Sequence, residues 1–178
     1  MSGGPLNAAS LAREMIDANQ YLVLGTADLS GRPWTTPVYF AHHDYREFIW
    51  VSAPERAHSQ NLLVRPEVAI VVFDSQAQIN TGQGVYIAAT AEEIGDADLT
   101  RDIGTFSARS LAHGGRAFSV SEVSGDADLR LYRAVADQHW GPRQGRRTGP
   151  PHSDRYRRTV GTARSAGRRV HVNAVRAR

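Results

Sequence analysis

Residues 34–74, WTTPVYFAHHDYREFIWVSAPERAHSQNLLVRPEVAIVVFD, constrain the fold more than any other stretch. Two β-like runs, 35–41 and 48–52, flank a polar turn at 42–47. A connector with proline, serine, arginine and histidine follows, and then a brief helical pattern at 59–64 that Pro66 stops. The segment closes on six apolar residues, 68–73, expected to form a strand buried on both faces. Pro37 lacks a backbone donor, so the start of its strand is expected at an edge, a bulge or a break in the ladder.

The rest of the chain extends this pattern. Residues 7–19 carry Ala8, Leu11, Met15 and Ala18 on one helical face, with Asn7 placed to cap it. Residues 21–27 read as a strand, 28–33 as a Gly/Pro turn, and 85–92 as a strand after a loop at 76–84. A second helix is expected over 98–112, with Leu99, Ile103, Phe106 and Leu111 at helical spacing and Gly114-Gly115 ending it. A last strand is expected at 129–140. Closely spaced strands joined by tight turns favour an antiparallel barrel over a βαβ sheet. The fold class expected is mainly β (α+β).

The chain of 178 residues suits one domain with a real core, and 41% of it is hydrophobic. Without cysteine there are no disulfides, zinc–thiolate sites or thiol nucleophiles, which fits a reducing compartment. No run is apolar enough to cross a membrane, and the N-terminus lacks signal-peptide regions, so a cytoplasmic location is expected. The overall charge of +3 averages two unlike parts. Residues 1–140 hold 10 arginines and 17 carboxylates, a net of −7; residues 141–178 hold 11 arginines and one acid, a net of +10. The chain therefore divides into a domain, 1–140, and an Arg/Gly/Pro-rich tail, 141–178. Such a like-charge block is more often a solvated, disordered arm than a nucleic-acid-binding one, and only Tyr156 interrupts it with an aromatic ring. Arginine without lysine, with Gly, Pro and Ala, is also what GC-rich codons give in any frame, so a frame-shifted end is a third reading of the tail.

Several motifs carry little. His42 and His43 are adjacent, point to opposite faces of a strand and do not form a shared metal site. Gly82-x-Gly84 is too short for a dinucleotide fingerprint, and no G-x-S-x-G occurs. Glu92-Glu93 are expected in solvent, and Trp34 and Trp50 in the core or at a barrel rim. One constellation carries more: Ser52, Arg56, His58, Ser59 and Asn61 lie just past a strand end and around a helix start. Hydroxyls, a cation and exposed helix N–H groups suit a phosphate monoester. Spacing alone leaves open an ordinary loop with Ser59 as cap and Arg56 in water.

From about residue 21 to residue 140 the chain resembles the pyridoxamine 5′-phosphate oxidase-like proteins, the FMN-binding split-barrel group. The resemblance rests on GTADLSGRPWTTPVYF, FIWVSAPERAHSQNLLVRPEVAIVVFD, GQGVYIAATAEEI and LYRAVADQHW. It implies a six-stranded antiparallel split β-barrel with flanking helices, a homodimer, and an FMN in each of two sites between subunits. It implies that Thr36, Pro37, Val38 and Tyr39 line the isoalloxazine, largely through backbone groups, and that Val51 and Ser52 lie beside the ribityl phosphate. His58 stands where the family usually has a phosphate-binding lysine; Arg56 and Asn61 are further candidates for that phosphate. Gln83 would reach the ring edge, and Trp140 would contact flavin from the partner subunit. The function implied is an FMN-dependent oxidoreductase passing a hydride between flavin and a small molecule. A deazaflavin cofactor is the alternative within the group, and a non-catalytic flavin- or haem-binding module the alternative outside catalysis. Ala41 stands where the vitamin-B6 oxidases usually have a lysine, and no Arg-x-His follows Trp140, so the resemblance does not extend to their substrate. No acid–base catalyst is named.

Overall fold

The computed structural model describes residues 7–141 and the backbone of residues 157–158. Seven strands form one antiparallel sheet: β1 (Tyr21–Ala27), β2 (Pro33–Tyr39), β3 (Ala41–His43), β4 (Glu47–Ser52), β5 (Glu67–Phe73), β6 (Gly84–Glu93) and β7 (Arg130–Gly141). Their order is β2-β1-β5-β6-β7-β4-β3. A two-residue β8 (Arg157–Arg158) pairs with Trp140 and Gly141 at the end of β7. The helices are α1 (Ala8–Ala18), α2 (Ala57–Val64) and α3 (Asp96–Ala112).

One expected strand divides into two. Residues 35–41 form the end of β2, which pairs with β1, and the start of β3, which pairs with β4. β2 and β3 lie at opposite ends of the strand order, yet one residue, Phe40, separates them. The sheet therefore curls until its two ends meet there, which is the split-barrel closure. This raises the strand count from the expected six to seven. Phe40 is fully buried and its ring lies 6.0 Å from that of Phe48 on β4. β2 is an edge strand, which accommodates Pro37 without the loss of an interior ladder bond.

The barrel core joins inward residues of both halves, among them Leu22, Leu24, Phe40, Trp50, Ile70, Val72 and Ile87, and α1 adds Ala12 and Ile16. Asn7 caps α1, its side chain accepting from the Ser10 N–H at 2.9 Å. At the other end, the Arg109 guanidinium of α3 donates to the carbonyls of Ile16, Asp17 and Asn19, which the last turn leaves unpaired.

The strand buried on both faces is β4, not β5. β4 sends Phe48 and Trp50 into the barrel and Ile49 against α3, where Leu99, Ile103 and Phe106 form a second core with Leu131. β5 alternates instead: Val68, Ile70 and Val72 are buried, while Ala69 and Phe73 are exposed. The apolar run read the same from sequence, but α3 covers the β4–β7 half of the sheet and leaves the outer face of β5 open.

Candidate functional site

A cleft of about 780 Å³ opens where β1, β2 and β4 meet the start of α2 and the end of α3. That size lies within the range of about 300–1,000 Å³ usual for small-molecule and cofactor sites. Pro37, Val38, Val51, Phe106, Phe118 and Leu129 give it apolar walls. Its polar groups are hydroxyls, histidines, one amide and one guanidinium: Ser52, Thr36, Tyr39, His58, His113, Gln20 and Arg56 among them. No described lining residue is a carboxylate.

At the α2 side, Arg56 is the N-cap and makes no side-chain capping bond, so the first-turn N–H groups have no side-chain acceptor. Helix α2 starts two residues earlier than expected, and Ser59 lies buried inside its first turns rather than at the cap. His58 is buried too, with Nε2 2.8 Å from Ser52 Oγ. Burial, with the charge of Arg56 as a smaller contribution, lowers its pKa below the ordinary histidine value. In the free protein His58 is therefore neutral at neutral pH, and a dianion beside it would draw a proton onto the ring.

At the α3 side, Tyr39 Oη lies 3.0 Å from Nδ1 of His113, the residue that ends the helix. Phe106 and Tyr21 meet the Tyr39 ring edge-on at 5.5 and 6.0 Å. Gly114 follows with φ +80°, and a Cβ on Gly115 would come within 2.5 Å of Ser110 Oγ. The Gly-Gly pair therefore both ends the helix and lets the chain pass tightly along the cleft.

Eight of the residues named from sequence come together in this cleft: Thr36, Pro37, Val38, Tyr39, Val51, Ser52, Arg56 and His58. Asn61 lies inside the barrel wall, donating to Thr26 Oγ1 at 2.9 Å, and is not a lining residue. Gln83 is exposed in the loop before β6, and Trp140 lies half-buried on β7; neither lines the cleft within one chain. Sequence reasoning missed Gln20, Tyr21, Phe106, Ser110, His113, Gly114, Gly115, Phe118 and Leu129. The helix-ending Gly114-Gly115 pair was visible, but nothing local indicated that α3 would end against β2.

A second polar cluster lies on the other side of α3. His43 Nε2 and carboxylate oxygens of Glu47 and Asp102 gather within 4.8 Å of one another. Arginines already supply the positive charge: Arg101 Nε is 2.6 Å and Arg133 Nη1 3.2 Å from Asp102, and Arg133 also holds Asp98 and Glu92. Burial alone would raise the Asp102 pKa; hydrogen bonds from Arg101 and His43 and the nearby arginine charges outweigh it and lower the pKa. This is a clamp tying α3 to β3, β4 and β7. His42 turns the other way, to Asp17 of α1.

Fold and cleft define a split-barrel protein with a cleft of cofactor size between its sheet and its helices. The profile of the pyridoxamine 5′-phosphate oxidase family matches residues 10–139, and the chain belongs to that family. Solved structures share the fold at low identity. HutZ, the heme storage protein from Vibrio cholerae, superposes with TM-score 0.60 at 21% identity, over 75% of this chain and 92% of that one. A heme binding protein from Mycobacterium smegmatis gives 0.64 at 16%, over 81% and 57%. An F420 reductase gives 0.53 at 15%, over 71% and 94%. No curated protein matches the sequence. Among the described residues, no helix is long and apolar enough to cross a membrane.

Proposed function

We propose that this protein is an FMN-binding oxidoreductase that passes a hydride between bound flavin and a small molecule. One observation carries the reading: the cleft has Arg56, His58 and Ser52 beside an uncapped helix start, an apolar wall, and no described carboxylate, in a domain whose net charge is −7. An acidic domain that keeps acids out of one cleft favours an anion there. The residues present fit FMN. Arg56, His58 and Ser52, with the first N–H groups of α2, would hold the phosphate. Pro37, Val38 and Val51 would face the ring. The flavin supplies two-electron chemistry, and the chain supplies position and a dry wall.

The reading includes a homodimer. Strand register aligns Pro37, Val23, Val71, Tyr86 and Trp140 in one row across the outer face of five strands. Gly25, Ala69 and Ala88 form a flat row of small residues beside it. Pro37 belongs both to this row and to the cleft. A second copy packed on the face would close the cleft and bring its own Trp140 and Gln83 within reach.

Titrating FMN into the purified protein tests the reading. Quenching of flavin fluorescence with one FMN per chain is expected, weakened in Arg56→Ala. Failure to take up FMN while binding deazaflavin or haem would replace the cofactor named here.

A further inference from the structure

The geometry points to Tyr39 and His113 as a proton relay between the cleft and solvent, serving a substrate whose reduction takes up a proton together with a hydride. This rests on the flavin reading of the cleft. The two side chains line the cleft and meet at 3.0 Å, Oη to Nδ1. Tyr39 is half-buried and its ring is fixed by Phe106 and Tyr21; His113 is exposed. One end of the pair thus faces a bound molecule and the other faces water. Burial raises the Tyr39 pKa, opposed by Arg109 and reinforced by Tyr21, so its O–H is intact at neutral pH. The other charged or titratable groups nearby are Arg56 and His58 across the cleft and Arg116, which is paired with Glu122. No described lining residue of the cleft is a carboxylate that could take over the proton, and Glu122 is held by Arg116.

The substrate class is a carbonyl, imine or quinone. In the reducing direction the substrate accepts a hydride, two electrons and a proton, from the reduced flavin. Its oxygen or nitrogen then takes the Tyr39 proton. Nδ1–H of a protonated His113 refills Tyr39, and solvent reprotonates His113. The reverse oxidation of an alcohol or amine sends the proton out along the same path. Tyr39 is the catalytic residue of the pair and His113 the positioning one.

The test uses Tyr39→Phe and His113→Gln in the full chain. In FMN-free protein, the ring-nitrogen NMR chemical shifts of His113 should move in Tyr39→Phe while those of His58 stay. An unmoved His113 overturns the pairing before any cofactor is added. Next, photoreduced FMN-loaded protein is mixed with menadione, which needs a proton with its electrons, or with ferricyanide, which needs none. Both variants should slow menadione about 100-fold and ferricyanide less than about 3-fold. The wild-type menadione rate should show a solvent deuterium isotope effect that the Tyr39→Phe rate lacks. Equal slowing of both acceptors, or slowing of neither, overturns the relay while leaving FMN binding intact. Wild-type protein that takes up no flavin removes the flavin reading and the relay with it.

Discussion

Asp102→Asn should destabilise the domain more than any other conservative change on α3. The carboxylate has no solvent exposure and lies in reach of Arg101 at 2.6 Å, His43 at 3.0 Å and Arg133 at 3.2 Å. Asparagine keeps the shape but removes the anion, turning one acceptor into a donor that faces donors. Breaking a buried pair by neutralising one member costs about 3–5 kcal/mol, because the remaining charges stay desolvated. Asp98, Glu92 and Glu47 still face Arg133, which favours the lower end of that range. For a domain of this size, about 3–4 °C per kcal/mol gives a Tm loss of about 10–15 °C. Thermal and urea unfolding followed by circular dichroism measure it. The pH dependence supplies an internal check. The folded-state pKa of Asp102 is depressed, so its contribution is present above the unfolded carboxylate value of about 3.9 and is lost as pH falls through the folded value. Wild-type stability should therefore drop more steeply below about pH 4 than that of Asp102→Asn. A loss under about 1 kcal/mol, with parallel acid limbs, would refute the clamp as the element that seats α3.

Four further outcomes follow from the same structure. His58→Gln keeps a hydrogen-bonding amide near Ser52 but no charge, and FMN should bind about 10- to 100-fold more weakly by fluorescence titration, the worth of one charge-assisted hydrogen bond. Because the His58 pKa starts low and a bound dianion raises it, FMN binding should take up a proton and weaken as pH rises; flat affinity between about pH 5.5 and 8.5 would count against His58 as anchor. Arg109→Ala removes the cation that closes the last turn of α1 and should cost about 1.5–3 kcal/mol, with hydrogen exchange accelerating first in α1. Val71→Glu places a charge at the centre of the outer row; sedimentation should then give a monomer with an unchanged circular dichroism spectrum, and a persisting dimer would show that this face is not the interface.

Much of the architecture was legible because it rests on local rules. Strand β1 falls on its expected residues, and α1 starts after its expected Asn7 cap, although the residues it buries are Ala12 and Ile16 and the expected Ala18 is exposed. Gly114 closes α3 where a left-handed residue was needed. The Thr36–Tyr39 and Val51 parts of the cleft came from the family resemblance, not from spacing, because no local pattern marks which strand will face a cavity. Asn61 and Ser59 were not readable, because one turn of helix decides whether a side chain meets the cleft or the barrel wall.

The sequence by itself determined most of the elements, apart from the division of 35–41 between β2 and β3, and the polar connector at the start of α2, since these depend on residues near in the chain. Only the tertiary structure decided that β2 and β3 are opposite ends of one curled sheet, with Phe40 as the seam. It also decided that β4, not β5, is buried on both faces, because an apolar run carries no mark of which strand a helix will cover. Tyr39 and His113 are 74 residues apart and belong to elements with unrelated patterns. Their meeting follows from the clamp at Asp102 and the packing of Phe106, long-range contacts that no local period encodes.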